Sequence, residues 1–171
     1  MGACCSREEE LQADFSQDVN LAHFELVKEI GKGAFGKVKI VKHKQTGKEY
    51  ALKYIAKDLC VEKKAINSII LERVMLEDIH CPFVCNLRYA FQDDEYLFMV
   101  IDLKPGGDLR YLIGRVGALK EDIAKFMIAE VMLGIMYLHS RRVVHKDIKP
   151  ENSERYGSFK LGDNIFVFSS A

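Results

Sequence analysis

Eight residues near the start of the chain, Gly31-Lys32-Gly33-Ala34-Phe35-Gly36-Lys37-Val38, space three glycines as G-x-G-x-x-G. Glycine carries no Cβ, so backbone N–H groups in such a segment can approach an anion closely, and phosphate is the anion this spacing suits. A dinucleotide-binding turn of the same spacing must open a helix. Here Val38-Lys39-Ile40-Val41 follows, a strand pattern, so the glycines bridge two strands as a hairpin. That context fits a flap over nucleotide phosphates; an ordinary flexible hairpin is the other reading of these eight residues alone.

Two charged residues further on stand on apolar faces. In Tyr50-Ala51-Leu52-Lys53-Tyr54-Ile55, strand alternation sets Lys53 on the face of Ala51 and Ile55. The pattern then predicts a helix over about 62–79, whose stripe Ala65, Ile69, Glu72, Leu76, Ile79 holds one carboxylate among aliphatics. An unpaired buried ammonium is costly, which makes Lys53 and Glu72 natural partners. Two side chains snorkelling at the edge of the core is the alternative.

These residues need elements to position them. Residues 24–55 alternate as antiparallel strands, with Val38 and Ile40 on one face, Lys37 and Lys39 on the other, and Gln45-Thr46-Gly47-Lys48 as a turn. A second long helix, about 119–140, carries Ile123, Met127, Val131, Gly134 and Leu138 on one stripe, a core face. It runs out at Ser140-Arg141-Arg142. The chain then reads Val143-Val144-His145-Lys146-Asp147-Ile148-Lys149-Pro150-Glu151-Asn152.

This last segment closely resembles the catalytic loop of protein kinases, H-R-D-L-x-x-x-N, with Lys146 in place of the arginine. With the glycine loop, Ala51-x-Lys53 and Glu72 ahead of it in order, the sequence resembles a serine/threonine protein kinase of the AGC type. Met1-Gly2-Ala3-x-x-Ser6-Arg7, Asp18-Val19-Asn20, Phe91-Gln92-Asp93-Asp94-Glu95 and Gly106-Gly107-Asp108-Leu109-Arg110-Tyr111 are similar to the YANK group in particular. The resemblance covers about residues 18–152. It implies a protein-kinase-like α+β fold: a flexible tail over 1–23, an antiparallel-sheet N-lobe with one long helix over 24–103, and an incomplete helical C-lobe over 104–171.

The resemblance also implies an enzyme that transfers a phosphoryl group from ATP to a serine or threonine hydroxyl of a protein substrate, with ATP and Mg²⁺ as cofactors. Carried over by residue, Ile30, Gly31, Lys32, Gly33, Ala34, Phe35, Gly36, Lys37 and Val38 would cover the ATP phosphates. Lys53 would pair with the α/β-phosphates and Glu72 would hold Lys53. Ile101 would be the gatekeeper, and Asp102-Leu103-Lys104 the hinge that hydrogen-bonds adenine. Val38 and Ala51 would sandwich the base, with Asp108 at the ribose or at a basic substrate residue. Asp147 would accept the proton of the substrate hydroxyl, Lys149 would neutralise the transferring group, and Asn152 and Asp163 would bind Mg²⁺. This chemistry is positioning and charge neutralisation, served by lysines, carboxylates and metal ions.

The sequence departs from the family after Asn152. Ser153-Glu154-Arg155 stand where kinases have an apolar strand beneath the adenine. Phe159-Lys160-Leu161-Gly162-Asp163 resembles the strand leading into Asp-Phe-Gly, yet Asn164-Ile165 follow Asp163, which lies closer to Asn152 than the family pattern has it. Nothing up to Ala171 corresponds to an activation segment or an Ala-Pro-Glu motif. The chain as written is therefore expected to be a C-terminally truncated, poor catalyst of marginal stability, with Ile165-Phe166-Val167-Phe168 as an exposed apolar end. The alternative is a non-catalytic, lipid-anchored, kinase-like nucleotide-binding or regulatory fragment.

Composition sets the outer bounds. The 171 residues are 49% hydrophobic, enough for a sizeable core, and 25 Lys plus Arg balance 25 Asp plus Glu. Zero net charge argues against a nucleic-acid partner, which calls for a basic surplus. Residues 1–23 hold Arg7 against Glu8, Glu9, Glu10, Asp14 and Asp18, a net −4 that the remainder offsets with +4. Within this tail, Met1-Gly2-Ala3-Cys4-Cys5-Ser6 fits N-myristoylation of Gly2, with palmitoylation of Cys4 and Cys5 as the second anchor. A single myristoyl chain binds membranes only at about 10⁴ M⁻¹, so a second anchor is required; an incidental Met-Gly start with two idle thiols is the other reading. The expected location is intracellular, in the cytoplasm and on the cytoplasmic face of membranes. Five cysteines, two of them adjacent, do not suit a disulfide framework, and the first ten residues are too polar for a signal peptide. The longest mostly apolar stretch, Phe126 to Leu138, is too short to span a bilayer. His80, Cys81 and Cys85 do not form a zinc site, since Pro82 sits among them and no fourth ligand follows.

Overall fold

The computed structural model describes residues 19–33, 36–155 and 165–167. They form two compact units, one built from residues 19–78 and 86–103, the other from residue 79 to 85 and from 104 onward. The loop Ile79–Cys85 therefore goes with the second unit, although it lies inside the 24–103 range of the expected N-lobe.

The first unit is an antiparallel sheet of β1 (Phe24–Gly33), β2 (Gly36–His43), β3 (Glu49–Ala56), β4 (Leu87–Gln92) and β5 (Tyr96–Asp102), in the order β1-β2-β3-β5-β4. Between β2 and β3 the chain reverses at Gly47, whose φ of 70° needs a residue without Cβ. One sheet face buries Phe24, Val41, Tyr50, Leu52, Phe98 and Val100 together. Phe24 meets His43 and Tyr89 edge-on, and His43 stacks on Tyr89. Alternation along β3 turns Ala51, Lys53 and Ile55 to the opposite face. Helix α1 (Lys57–Glu62) packs on β3, and α2 (Ile66–Glu77) packs on β4, burying Ile69 and Leu76.

The single helix expected over 62–79 is thus broken. Lys64 takes φ 52°, the Lys64 N–H donates to the Val61 carbonyl, and the Ala65 N–H donates to the Cys60 carbonyl. That is a Schellman ending with lysine where glycine is usual, which is why no glycine announces it in the sequence.

In the second unit, α3 (Leu109–Val116) is an element the sequence reading did not anticipate. Its N-cap is Asp108, whose carboxylate accepts from the Tyr111 N–H at 2.6 Å, and it stops at Gly117 with φ 73°. Helix α4 (Glu121–Ser140) buries Met127, Gly134 and Leu138 on the expected stripe, and Glu130 with them. Leu112 and Met127 form its small core with Ile123 and Val131 against them. At 20 residues, α4 outruns the 13-residue apolar stretch seen in the sequence and by length and composition alone could cross a membrane. It buries one stripe and carries Glu121, Asp122 and Lys125 in its first turns, while Phe126, Ile128, Met132, Leu133 and Met136 stand exposed. Strand β6 (Ser153–Arg155) pairs antiparallel with β7 (Ile165–Val167), and β7 packs against α4. The backbone of Ile165–Val167 is therefore paired; the exposure expected of side chains 165–168 lies outside what is described.

Candidate active site

The first unit brings Lys53 and Glu72 together. Their Nζ and Oε1 atoms lie 3.6 Å apart, with side chains only 15% and 11% exposed. Strand alternation aims Lys53 at α2, and the stripe of Ile69 and Leu76 aims Glu72 at β3. Burial pushes the Glu72 carboxyl up, and the Lys53 charge pulls it partway back. Glu72 Oε2 is buried without a hydrogen-bond partner. One carboxylate oxygen thus holds an ammonium that has three protons to donate, so Lys53 keeps the capacity to bind an anion such as a phosphate. Truncating either member of such a pair costs about 3–5 kcal/mol. Val38 stands opposite Lys53, and Ala51 opposite Ile101, so both expected adenine contacts share the Lys53 face.

The glycines of the loop differ in what the fold asks of them. A Cβ on Gly31 would meet nothing within 4 Å, so packing does not require glycine there, and the open space suits a phosphate. A Cβ on Gly36 would lie 2.0 Å from the Tyr54 carbonyl oxygen, so close strand approach demands this glycine. Gly33 faces Gly36 and Lys32 faces Lys37 across the hairpin, and the Lys37 ammonium pairs with Glu29 at 3.5 Å. Ile30 is half-exposed on β1 beside them. Ala34 and Phe35 lie outside the described residues.

At the end of β5, Asp102 does not present a free carboxylate. Arg88 Nε donates to Oδ1 at 2.6 Å, Arg88 Nη2 to Oδ2 at 3.1 Å, and Asn86 Nδ2 to Oδ2 at 3.2 Å. The Asp102 N–H is given to the Asn86 carbonyl, so the Asp102 carbonyl and the Leu103 backbone are the hinge groups that would face a base. Sequence reasoning missed Arg88 and Asn86; the signal was a lone arginine inside the strand pattern Leu87-Arg88-Tyr89-Ala90-Phe91. Between α1, α2, β4 and β5 the unit also carries an open, mostly apolar groove of about 550 Å³, lined by none of the expected nucleotide contacts.

The second unit gathers its chemistry on one loop. Lys149 Nζ donates to Asp147 Oδ2 at 2.8 Å, and Asn152 Nδ2 donates to the same oxygen at 2.8 Å and to the Asp147 carbonyl at 2.9 Å. Lys146, at φ 67°, turns the chain so that the Asp147 N–H reaches His145 Nδ1 at 3.3 Å. A one-turn 3₁₀ helix at Pro150–Asn152 closes the loop and packs against α3. Asp147 and Lys149 are close to half-exposed, so their attraction is screened and contributes little to stability. Its value is chemical: a carboxylate kept accessible, with a cation at hand. Asp108, expected at a ribose or a basic substrate residue, caps α3. Arg110 Nε lies 3.9 Å from Glu151 Oε1.

These residues suit the implied cofactors in part. With Asn152 Nδ2 given to Asp147, its Oδ1 is the atom that would ligate a hard cation, as the oxygen preference of Mg²⁺ requires. Among the described residues no cluster of three or more His, Cys, Asp or Glu could hold a metal unaided. Magnesium would therefore depend on nucleotide phosphates and on Asp163, which lies outside the described residues, as do Gly2, Cys4 and Cys5.

Comparison with known proteins places this geometry. A profile of the protein kinase domain matches residues 24–164. Serine/threonine-protein kinase 32C of Mus musculus is 43% identical over 139 residues, 81% of this chain and 28% of that protein. Serine/threonine-protein kinase 32B of Homo sapiens is 42% identical over 139 residues, covering 34% of its own length. Protein kinase 3 of Dictyostelium discoideum is 42% identical over 142 residues, 82% of this chain and 16% of that protein. The chain thus spans about a third or less of the length of these relatives.

Proposed function

Because the chain belongs to the protein kinase domain family, we propose that it transfers the γ-phosphoryl group of ATP to a serine or threonine hydroxyl of a protein substrate. The observation that carries this reading is the knot at Asp147, where Lys149 and Asn152 both donate to one carboxylate oxygen. Asp147 accepts the proton of the substrate hydroxyl, and Lys149 balances the charge that develops on the transferred group. Lys53, steadied by Glu72, binds the α/β-phosphates, while the backbone around Gly31 covers them. Val38, Ala51 and the Asp102–Leu103 backbone receive the base. ATP would supply the phosphoryl group, and Mg²⁺, which Asn152 and Asp163 would hold, would neutralise its phosphates.

Titrating the chain with Mg-ATP tests the binding half of this reading. Lys53→Met is expected to weaken ATP by tenfold or more, and Asp147→Asn to leave binding near wild type. Equal affinity in wild type and Lys53→Met would overturn it.

The tail reading belongs here as well. The run Met1-Gly2-Ala3-Cys4-Cys5-Ser6 supports myristoylation of Gly2 and palmitoylation of Cys4 and Cys5, which would hold the protein at the cytoplasmic face of a membrane. Gly2→Ala should move it to the soluble fraction of cells; an unchanged membrane-to-soluble ratio ends the idea.

A further inference from the structure

We propose that Arg88 and Asn86 are positioning residues that set the base preference of the nucleotide site, acting through the Asp102 carboxylate. This rests on the ATP reading above and adds to it which groups hold the base-binding backbone in place.

The pairing of β4 with β5 slips at one point. Leu87 stands opposite Ile101 and Tyr89 opposite Val100, which leaves Arg88 as the extra residue of a bulge. A bulge re-aims the side chain it carries. Here the guanidinium reaches the last residue of β5 and grips Asp102 in a two-pronged fork, Nε to Oδ1 at 2.6 Å and Nη2 to Oδ2 at 3.1 Å. Asn86, 1% exposed, adds its backbone N–H at 3.4 Å and its Nδ2 at 3.2 Å to Oδ2, while its carbonyl accepts the Asp102 N–H at 3.1 Å. Arg88 and Asp102 are each only 11% exposed, so this is a buried, directional clamp.

On the other edge of β5, Asp102 pairs with Tyr50, the neighbour of Ala51. The clamp therefore fixes the final residue of β5 from the β4 side just where the strand ends and the backbone must present its groups to a base. A site that reads a base through backbone groups loses discrimination when that backbone shifts by a fraction of an ångström. Phosphate binding by Lys53 and the glycine loop uses other atoms and should not respond.

The test measures affinities of the full chain for ATP, GTP and inorganic tripolyphosphate. Arg88→Met is expected to weaken ATP about tenfold, to bring the ATP-to-GTP affinity ratio toward one, and to leave tripolyphosphate unchanged. Because Arg88→Met strands a buried carboxylate, the double variant Arg88→Met/Asp102→Leu removes both charges; it should melt close to wild type and still fail to discriminate the bases. Variants that keep the wild-type ATP-to-GTP ratio overturn the inference, as do variants that lose ATP and tripolyphosphate in equal measure, which marks general disruption. A folded wild type that binds neither ATP nor tripolyphosphate removes the nucleotide reading itself, and this inference with it.

Discussion

An alanine methyl at Gly36 would press on the Tyr54 carbonyl, whereas at Gly31 it would enter open space. Gly36→Ala is therefore expected to lower unfolding free energy by about 2 kcal/mol, since strand backbone must move to admit the methyl. Gly31→Ala should stay within about 0.5 kcal/mol of wild type while weakening ATP; urea melts with nucleotide titrations check both. Lys53 and Glu72 were legible as a pair because each is a lone charge on an apolar face. Arg88 and Asp102 were not, because a bulge breaks the alternation on which such reading depends. Glu72 also makes a pH prediction. Its carboxyl is raised in the folded state by burial, so it binds more protons folded than unfolded. Its stabilising share is then complete below the ordinary glutamate value and is lost as pH rises through the raised value. Relative to Glu72→Gln, wild type should lose stability as pH rises from the ordinary glutamate range through the raised value; a difference flat with pH would contradict this.

Among the elements, the strands were legible from alternation, and α4 from its stripe of Ile123, Met127, Val131, Gly134 and Leu138. The break between α1 and α2 was not, because Lys64 takes the left-handed conformation without the glycine that usually marks it. A Cβ in that conformation costs about 1–2 kcal/mol, and glycine returns part of this through the entropy of the unfolded chain. Lys64→Gly is expected to raise unfolding free energy by about 0.5–1 kcal/mol, read from denaturant midpoints. A loss of stability would show that the Lys64 side chain contributes more than its backbone costs. Helix α3 went unread although its signals were present: Asp108 as an N-cap ahead of Leu109, and Gly117 just past Val116. Asp108 serves locally as the N-cap of α3, its carboxylate accepting from the Tyr111 N–H. The pairing of Ile165–Val167 with Ser153–Arg155 was hidden for another reason, since Phe159-Lys160-Leu161 offered a strand pattern of equal merit.

At the scale of the whole molecule, each unit holds a distinct share of the chemistry, Lys53 and Glu72 in one and Asp147, Lys149 and Asn152 in the other. The order of these motifs along the chain made the family legible before any coordinate, and the match over residues 24–164 agrees with it. The efficiency of the proposed transfer was not legible, because it would depend on Mg²⁺ ligands after Asn152, where the sequence leaves the family pattern. Incubating the 171-residue chain with γ-labelled ATP, Mg²⁺ and a serine- and threonine-rich acceptor protein tests the central claim. Slow, Mg²⁺-dependent labelling of serine or threonine is predicted, falling about a hundredfold or more in Asp147→Asn. A folded chain that binds Mg-ATP yet transfers no label, or labelling that survives Asp147→Asn, would contradict it.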